Sequence, residues 1–139
     1  MNCKHPFQYR IGIRFKDIDA MGHVNNAVIF TYFEEGRKAL FCDSLKKPAP
    51  RGFNFILAHM ECDYILPVRL EDRVLLNMWV TTIGTKSFGL AYALMNEADA
   101  NLTFAKGSSV QVCYDYRRGQ PIPVPEALKN ALLAYHLPS

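Results

Sequence analysis

The sequence predicts an α+β domain in which one long helix packs against an antiparallel sheet. Three observations lead to this class. The chain opens with a stretch of strict two-residue alternation, continues with a mostly apolar helical stretch, and then shows four further stretches with strand periodicity. A short amphipathic helix follows them. Because the later strands succeed one another in a meander, we expect their sheet to be antiparallel.

The first strand is predicted over residues 7–16, where apolar and polar side chains alternate. The long helix is predicted over residues 27–42, which contain no proline and have their charged residues within little more than one turn. A helix that is apolar around most of its circumference is expected to be buried on several sides.

Four strands are then predicted, at residues 53–66, 74–82, 88–94 and 102–114. Residues 125–133 are predicted to form the short terminal helix, with Pro125 at or near its first position. One sheet around one helix leaves exposed edges, so we expect dimerisation by extension of the sheet. The sequence contains no repeat, low-complexity tract or linker, which predicts a single domain over residues 1–139.

Composition and charge exclude several classes of function. The net charge of +3 comes from scattered basic residues, too few for a nucleic-acid-binding surface but enough to attract a small anionic molecule. Four cysteines and four histidines are widely separated, so neither a metal site nor a cofactor is expected. No signal peptide is recognisable, and no apolar run approaches the roughly 18–20 residues that span a membrane. We therefore expect a soluble, cytoplasmic protein.

Residues 17–26 join the first strand to the long helix and gather two carboxylates, a glycine, a histidine and two asparagines. An asparagine at a helix start commonly caps the first turn, and loop aspartates are commonly solvated. The whole set at one strand-to-helix turn nevertheless favours a functional site. A helix N-terminus presents unpaired N–H groups and a positive dipole end, and can therefore stabilise an oxyanion beside a carboxylate.

Three stretches give the chain a resemblance to a known family. They are residues 14–26 with residues 32–37, residues 63–68 with Asp72, and residues 84–88. The first resembles the D-x-D-x-x-G-(H)-V-N-N and Y-x-E-x-x-R signatures of hotdog-fold acyl-CoA thioesterases of the 4-hydroxybenzoyl-CoA thioesterase type. The resemblance spans nearly the whole chain, with the stretches in the right order.

The resemblance implies a hotdog fold, in which a curved antiparallel sheet of five or six strands wraps around one long central helix. It implies an acyl-CoA thioester hydrolase that assembles as a homodimer or dimer of dimers, with the active sites at the dimer interface. In such enzymes the second aspartate of the D-x-D pair is the catalytic carboxylate, which places that role on Asp19. The N–H group at the start of the central helix polarises the thioester carbonyl, which places the donor near Asn26.

The residues leave open whether Asp19 attacks the thioester directly or deprotonates water. Asp17 is expected to be part of the scaffold, through a local turn bond or a pair with Arg14. His23 is expected to support the site rather than to act as an essential base. Asn25 is expected either to hold a water molecule at the substrate or to cap the helix.

Further candidates have weaker support. His59 lies on the strand expected to face a dimer partner, and its role is expected to be structural more than substrate-binding. Lys86, Ser87 and Arg117 or Arg118 are candidate contacts to the phosphates and backbone of coenzyme A. Glu35 is a second choice as catalytic carboxylate, and Arg37 is expected to pair with a glutamate of its own helix.

Three alternative functions follow from the same residues. The domain is alternatively a non-catalytic acyl-thioester binding module, or a thioesterase whose substrate is an acyl-carrier protein. Hydration of an enoyl thioester is disfavoured because no histidine occurs between residues 27 and 58.

Overall fold

The computed structural model describes residues 5–44 and 55–137 of the chain. Six strands form an antiparallel sheet: β1 (Phe7–Ile11), β2 (Phe55–Tyr64), β3 (Val74–Ile83), β4 (Ser87–Asn96), β5 (Thr103–Asp115) and β6 (Gln120–Pro121). Helix α1 (Asn26–Lys38) continues into a π-helical turn (Ala39–Ser44), and helix α2 (Glu126–Leu133) follows the sheet. The predicted α+β class, with one long helix against one antiparallel sheet, is confirmed.

Neighbouring strands lie in the order β1-β3-β4-β5-β2, with β6 paired to the end of β5. The predicted meander is confirmed for β3, β4 and β5 but is wrong for β2, which pairs with β5 and forms an edge of the sheet. The connection between β2 and β3 passes the start of α1, where the N–H of Val24 donates to the carbonyl of Val68 at 2.8 Å. Alternation along a strand identifies its buried face but not its neighbour, which explains the wrong prediction.

Helix α1 buries one face against the sheet. Its buried residues follow the spacing of a single helical stripe: Ile29, Tyr32, Phe33 and Gly36. The ring of Phe33 stacks on that of Tyr92 with centroids 4.6 Å apart. A Cβ atom at Gly36 would meet the side chains of Leu76 and Met78, so glycine allows the close approach of helix and sheet. The prediction of burial on several sides is wrong for this chain, since Phe30 is 37% exposed.

Several element boundaries differ from those predicted. The first strand ends at Ile11 instead of continuing to residue 16, because the chain forms a short 3-10 turn over Phe15–Asp17. Helix α1 ends earlier than predicted. Pro125 is the N-cap of α2 and lies next to its first residue, as predicted. Residues 53 and 54 of the predicted second strand lie outside the described residues.

A chain of polar side chains crosses the core between α1 and the sheet. Arg37 Nη1 donates to the hydroxyl of Tyr92 at 3.0 Å, and this hydroxyl lies 2.6 Å from Ser109 Oγ. Ser109 donates to Gln111 Oε1, and Gln111 Nε2 donates to the carbonyl of Phe88 at 3.1 Å. Because Ser109 gives its one hydroxyl hydrogen to Gln111 Oε1, the Tyr92 hydroxyl donates to Ser109 Oγ, and every bond in the chain runs in the same direction. The buried polar atoms are thereby satisfied.

Candidate active site

The loop before α1 is a compact hairpin-like turn. Ile18 and Val24 form an isolated antiparallel bridge, and the N–H of Asp19 donates to the carbonyl of His23 at 2.8 Å. The N–H of Gly22 donates back to the carbonyl of Asp19 at 3.0 Å. Gly22 has φ +82°, a left-handed conformation that glycine adopts without strain. The turn therefore brings the two ends of the D-x-D-x-x-G-H stretch together.

Asp17 is a buried scaffold carboxylate. It is 2% exposed, and its Oδ2 accepts hydrogen bonds from the N–H of Arg14 at 3.0 Å and from the hydroxyl of Tyr32 at 2.8 Å. The Arg14 guanidinium lies 3.4 Å from Oδ1. Burial alone would raise the pKa of Asp17, but these hydrogen bonds and the Arg14 charge outweigh it and hold the pKa below its usual value. The predicted pairing with Arg14 is present.

Asp19 differs from Asp17 in its surroundings. Its side chain is half-buried, and Oδ1 accepts the N–H groups of Met21 at 2.9 Å and His23 at 3.3 Å. Oδ2 has no hydrogen-bond partner in the part of the chain that the structure describes. The strand ends at Ile11 and a 3-10 turn follows at Phe15–Asp17, so the two aspartates lie outside the strand and in different surroundings. One oxygen of Asp19 thus anchors the turn while the other is available.

The first turn of α1 leaves one N–H group open. Asn25 is the N-cap: its Oδ1 accepts from the N–H of Ala27 at 2.8 Å, and its carbonyl accepts from the N–H of Val28 at 2.9 Å. The N–H of Asn25 itself donates to the carbonyl of Asp17 at 2.9 Å. Within residues 5–44 and 55–137, the N–H of Asn26 has no acceptor. Of the two roles considered for Asn25, capping the helix is observed.

A cleft of about 250 Å³ opens beside this N-terminus. Its walls are mostly apolar and come from the start of α1, the end of β2, the connection that follows β2, and β5: Val24, Asn26, Ile29, Tyr64, Ile65, Leu66, Pro67, Val68, Phe104 and Ala105. The hydroxyl of Tyr64 donates to the carbonyl of Asn26 at 2.9 Å. Such a cleft suits an apolar acyl group whose carbonyl points toward a helix N-terminus.

The two predicted histidines occupy different positions. His23 is half-buried in the turn beside Asp19, where its backbone closes the turn and its ring has no hydrogen bond to the described residues. His59 is exposed on the edge strand β2, and its Nε2 lies 2.9 Å from Glu61 Oε1. The structure therefore places His23 at the candidate site and His59 away from its cleft.

Lys86, Ser87 and Arg117 lie at the other end of the sheet from Asn26. Ser87 pairs with Val112 on β5, and the carbonyl of Lys86 accepts from the N–H of Cys113. Tyr64, which contacts Asn26, pairs with Ala105 on the same strand. Seven residues of extended strand correspond to about 23 Å. Within one chain, these three residues do not meet the helix N-terminus.

Arg37 corrects another prediction. Instead of pairing with a glutamate of α1, it donates to the hydroxyl of Tyr92, and the described residues contain no ion pair of Arg37. The sequence reasoning also missed the roles of Tyr32 and Tyr64. Both tyrosines occur in apolar stretches, where an aromatic residue is usually assigned to the core. The spacing of residues does not identify the hydrogen-bond partner of a phenol hydroxyl.

None of the helices in the described ranges is long and apolar enough to cross a bilayer. Among the same residues, no group of three histidine, cysteine, aspartate or glutamate side chains is arranged to hold a metal ion.

Comparisons with known proteins identify the family of this chain. The family model of the thioesterase-like superfamily matches residues 13–132. The 1,4-dihydroxy-2-naphthoyl-CoA hydrolase of Synechococcus elongatus is 27% identical over 131 residues, which cover 91% of this chain and 94% of that protein. The residues matched by the family model include the loop before α1 and strands β2 to β6.

Two solved structures are similar along almost the whole chain. The PA5185 protein from Pseudomonas aeruginosa superposes with a TM-score of 0.88 at 25% identity, covering 96% of this chain and 93% of that one. A thioesterase from Thermus thermophilus, crystallised with coenzyme A and Zn, has a TM-score of 0.76 at 30% identity and covers 92% of this chain and 98% of its own. The sheet around one long helix is thus the hotdog fold. The chain belongs to the thioesterase-like superfamily and is a thioester hydrolase.

Proposed function

We propose that this protein hydrolyses acyl-CoA thioesters at the N-terminus of α1. Asp19 supplies the carboxylate, and the N–H of Asn26 is the oxyanion donor. The observation that supports this most directly is the open N–H of Asn26, which lies at the positive end of the helix beside an apolar cleft. The neighbouring N–H groups of Asn25, Ala27 and Val28 are already paired.

The reaction breaks the bond between the acyl carbon and sulfur. In one route, Asp19 Oδ2 attacks the carbonyl carbon, coenzyme A leaves as a thiolate, and water hydrolyses the resulting mixed anhydride. In the other route, Asp19 takes a proton from a water molecule that attacks the same carbon. In both routes negative charge develops on the carbonyl oxygen, which the N–H of Asn26 stabilises. His23, in the same turn, supports the position of Asp19.

The choice of substrate class rests on the cleft and on the relatives. The mostly apolar walls and the volume of about 250 Å³ suit an acyl group rather than a polar metabolite. The relative from Synechococcus elongatus is named for a CoA thioester, and the structure from Thermus thermophilus was determined with coenzyme A. Coenzyme A is therefore preferred over an acyl-carrier protein as the carrier.

A dimer built on the edge strand β2 would complete the site. Among the described residues β2 pairs only with β5, and a ten-residue open edge favours pairing with a second copy. Antiparallel pairing about a two-fold axis places the Phe55 end of one β2 beside the Tyr64 end of the other. Phe55 pairs with Cys113, whose N–H donates to the carbonyl of Lys86 at 2.8 Å.

The partner's Lys86, Ser87 and Arg117 would then approach the cleft of the first subunit, although they are far from the cleft of their own subunit. Two cations and a hydroxyl suit the phosphates of coenzyme A. Lys86, Ser87 and Arg117 thus remain proposed substrate contacts, and each of them acts in the site of the neighbouring subunit. His59, near the middle of β2, would lie at this interface, and Asn25 would contribute through its cap.

The test measures release of free thiol from a panel of acyl-CoAs with short, long and aromatic acyl groups, and from the same acyl groups on an acyl-carrier protein. We expect saturable hydrolysis of at least one acyl-CoA. The absence of turnover with every acyl-CoA would contradict the proposed substrate class, and turnover of carrier-protein thioesters alone would select the other carrier.

The shared site has its own test. Lys86→Ala and Arg117→Ala should raise KM for an acyl-CoA. They should leave KM unchanged for the N-acetylcysteamine thioester of the same acid, because N-acetylcysteamine has no phosphates. Mixed dimers of Asp19→Asn and Lys86→Ala subunits should be more active than either parent variant, because one of their two sites is intact. Equal KM effects on both thioesters, or no gain in the mixed dimers, would contradict a site shared between subunits.

A further inference from the structure

The position of the Asn26 N–H depends on what holds the first residue of α1. The first turn of a helix lacks the hydrogen bonds that fix later turns, and helix ends fray. Upstream, the loop is fixed by the N-cap of Asn25 and by the bond between the N–H of Val24 and the carbonyl of Val68. Among the described residues, Tyr64 makes the only side-chain hydrogen bond to the backbone of Asn26.

Tyr64 connects the sheet to this helix start. Its backbone pairs with Ala105 at the end of β2, and the N–H groups of Ile65 and Leu66 donate to the carbonyl of Phe104 at 2.8 and 3.0 Å. The phenol extends from this anchored backbone and donates to the carbonyl of Asn26 at 2.9 Å. A hydroxyl on the rigid sheet thus holds the peptide group that follows the open N–H.

Satisfying the Asn26 carbonyl does not require this hydrogen bond. The carbonyl of the first residue of an α-helix already accepts from the N–H four residues later. The Tyr64 side chain is also 45% exposed, and a hydrogen bond at such a position contributes little to stability. Burial and the neighbouring Cys62 raise the pKa of the phenol, so it remains a donor. The contact therefore has little value for folding.

We propose that Tyr64 is a positioning residue that holds the oxyanion donor of Asn26 at the cleft, an inference that rests on the function proposed above. The ring forms part of the cleft wall and the hydroxyl fixes the helix start. Small displacements of an oxyanion donor reduce its contribution to the transition state more than to substrate binding.

The experiment compares Tyr64→Phe, which keeps the ring, with Tyr9→Phe on β1 as a matched control. Loss of one oxyanion donor reduces kcat by about 100- to 1000-fold, and we expect the misplaced donor to reduce kcat by about 10-fold, with KM changed by less than about twofold. Tyr9→Phe should keep the wild-type kcat. Both variants should show a cooperative unfolding transition in urea, which demonstrates that they are folded in its absence.

A spectroscopic measurement separates positioning from general loosening. The infrared carbonyl band of a bound acyl-CoA analogue with CH₂ in place of sulfur reports how strongly the donor polarises that carbonyl. It should shift to lower frequency on binding to the wild type and shift less in Tyr64→Phe. An unchanged kcat and an unchanged band in Tyr64→Phe, with wild-type turnover present, would overturn this inference and leave the proposed function standing. Absent turnover in the wild type would instead contradict the proposed function.

Discussion

The hydroxyl of Tyr32 donates a 2.8 Å hydrogen bond to Oδ2 of Asp17, and this bond ties α1 to the loop that contains the candidate site. Both side chains are buried. Burial, then the hydrogen bond to Asp17 and its charge, raise the pKa of Tyr32, so the phenol stays a donor across the physiological range. Asp17 also accepts from Asn25 through its backbone, so one residue holds both the core of α1 and its N-cap.

Tyr32→Phe should destabilise the protein by about 1–3 kcal/mol, because it leaves a buried carboxylate with one fewer donor. Urea unfolding at neutral pH measures this. Tyr9→Phe serves as a control, since no hydrogen bond of its hydroxyl is found among the described residues. A loss for Tyr32→Phe no larger than that of the control would contradict the role assigned to the bond.

The same pair predicts a pH dependence. The pKa of Asp17 lies below its usual value of 3.8 in the folded protein, so its ionised form stabilises the fold above that pH. This contribution is lost as the pH falls through the folded-state pKa. The difference in unfolding free energy between the wild type and Tyr32→Phe should therefore shrink as Asp17 is protonated. A difference that stays constant into that acid range would contradict the assignment.

The polar chain across the core should behave as a unit. Ser109→Ala leaves Gln111 Oε1 without a donor and the Tyr92 hydroxyl without an acceptor, although Tyr92 still accepts from Arg37, and should cost about 1–3 kcal/mol. Tyr92→Phe should cost a similar amount. The double variant should cost less than the sum of the two, because neighbours in one network are not additive. Strictly additive losses in urea unfolding would show that the bonds are independent.

Because Asn25 acts as the N-cap of α1, substitutions at this position should destabilise the protein only if they remove the side-chain acceptor. Asn25→Ala should lose about 0.5–2 kcal/mol, whereas Asn25→Asp keeps an acceptor for the N–H of Ala27 and should lose little. Thermal unfolding of both variants checks this. If Asn25→Asp were as destabilised as Asn25→Ala, the amide would have a function other than capping.

Particular residues show how far the sequence could predict this molecule. Alternation and apolar content were sufficient for the α+β class, for β3 to β5 and for α1, because these signals are local. The place of β2 beside β5 depends on tertiary packing that no local pattern encodes. The first strand was predicted to extend to residue 16, but the Asp17 side chain accepts from the N–H of Arg14 and closes a turn there.

The site was predictable to a similar degree. The spacing of residues 17–26 located the turn and the helix start, and the capping role of Asn25 was among the interpretations considered. The distance of Lys86 and Arg117 from Asn26 could not be predicted, because it follows from the end of β5 beside which each residue lies. The role of Tyr64 was missed because its hydroxyl bonds to a residue 38 positions away in the sequence, and no local pattern indicates such a contact.

Asp19→Asn tests the central proposal most directly. Asparagine retains an oxygen that can accept from the N–H of Met21, so the turn should persist while the carboxylate charge is removed. Asp99→Asn is the matched control, since Asp99 accepts from the N–H of Asn101 at 3.0 Å in a turn at the β4–β5 connection.

The measurement is kcat for the best acyl-CoA substrate. General acid–base groups typically contribute 10²- to 10⁴-fold, and we expect kcat to fall by about 100-fold or more in Asp19→Asn. Asp99→Asn should retain the wild-type kcat. Wild-type turnover by a folded Asp19→Asn variant would contradict the assignment of Asp19 as the catalytic carboxylate.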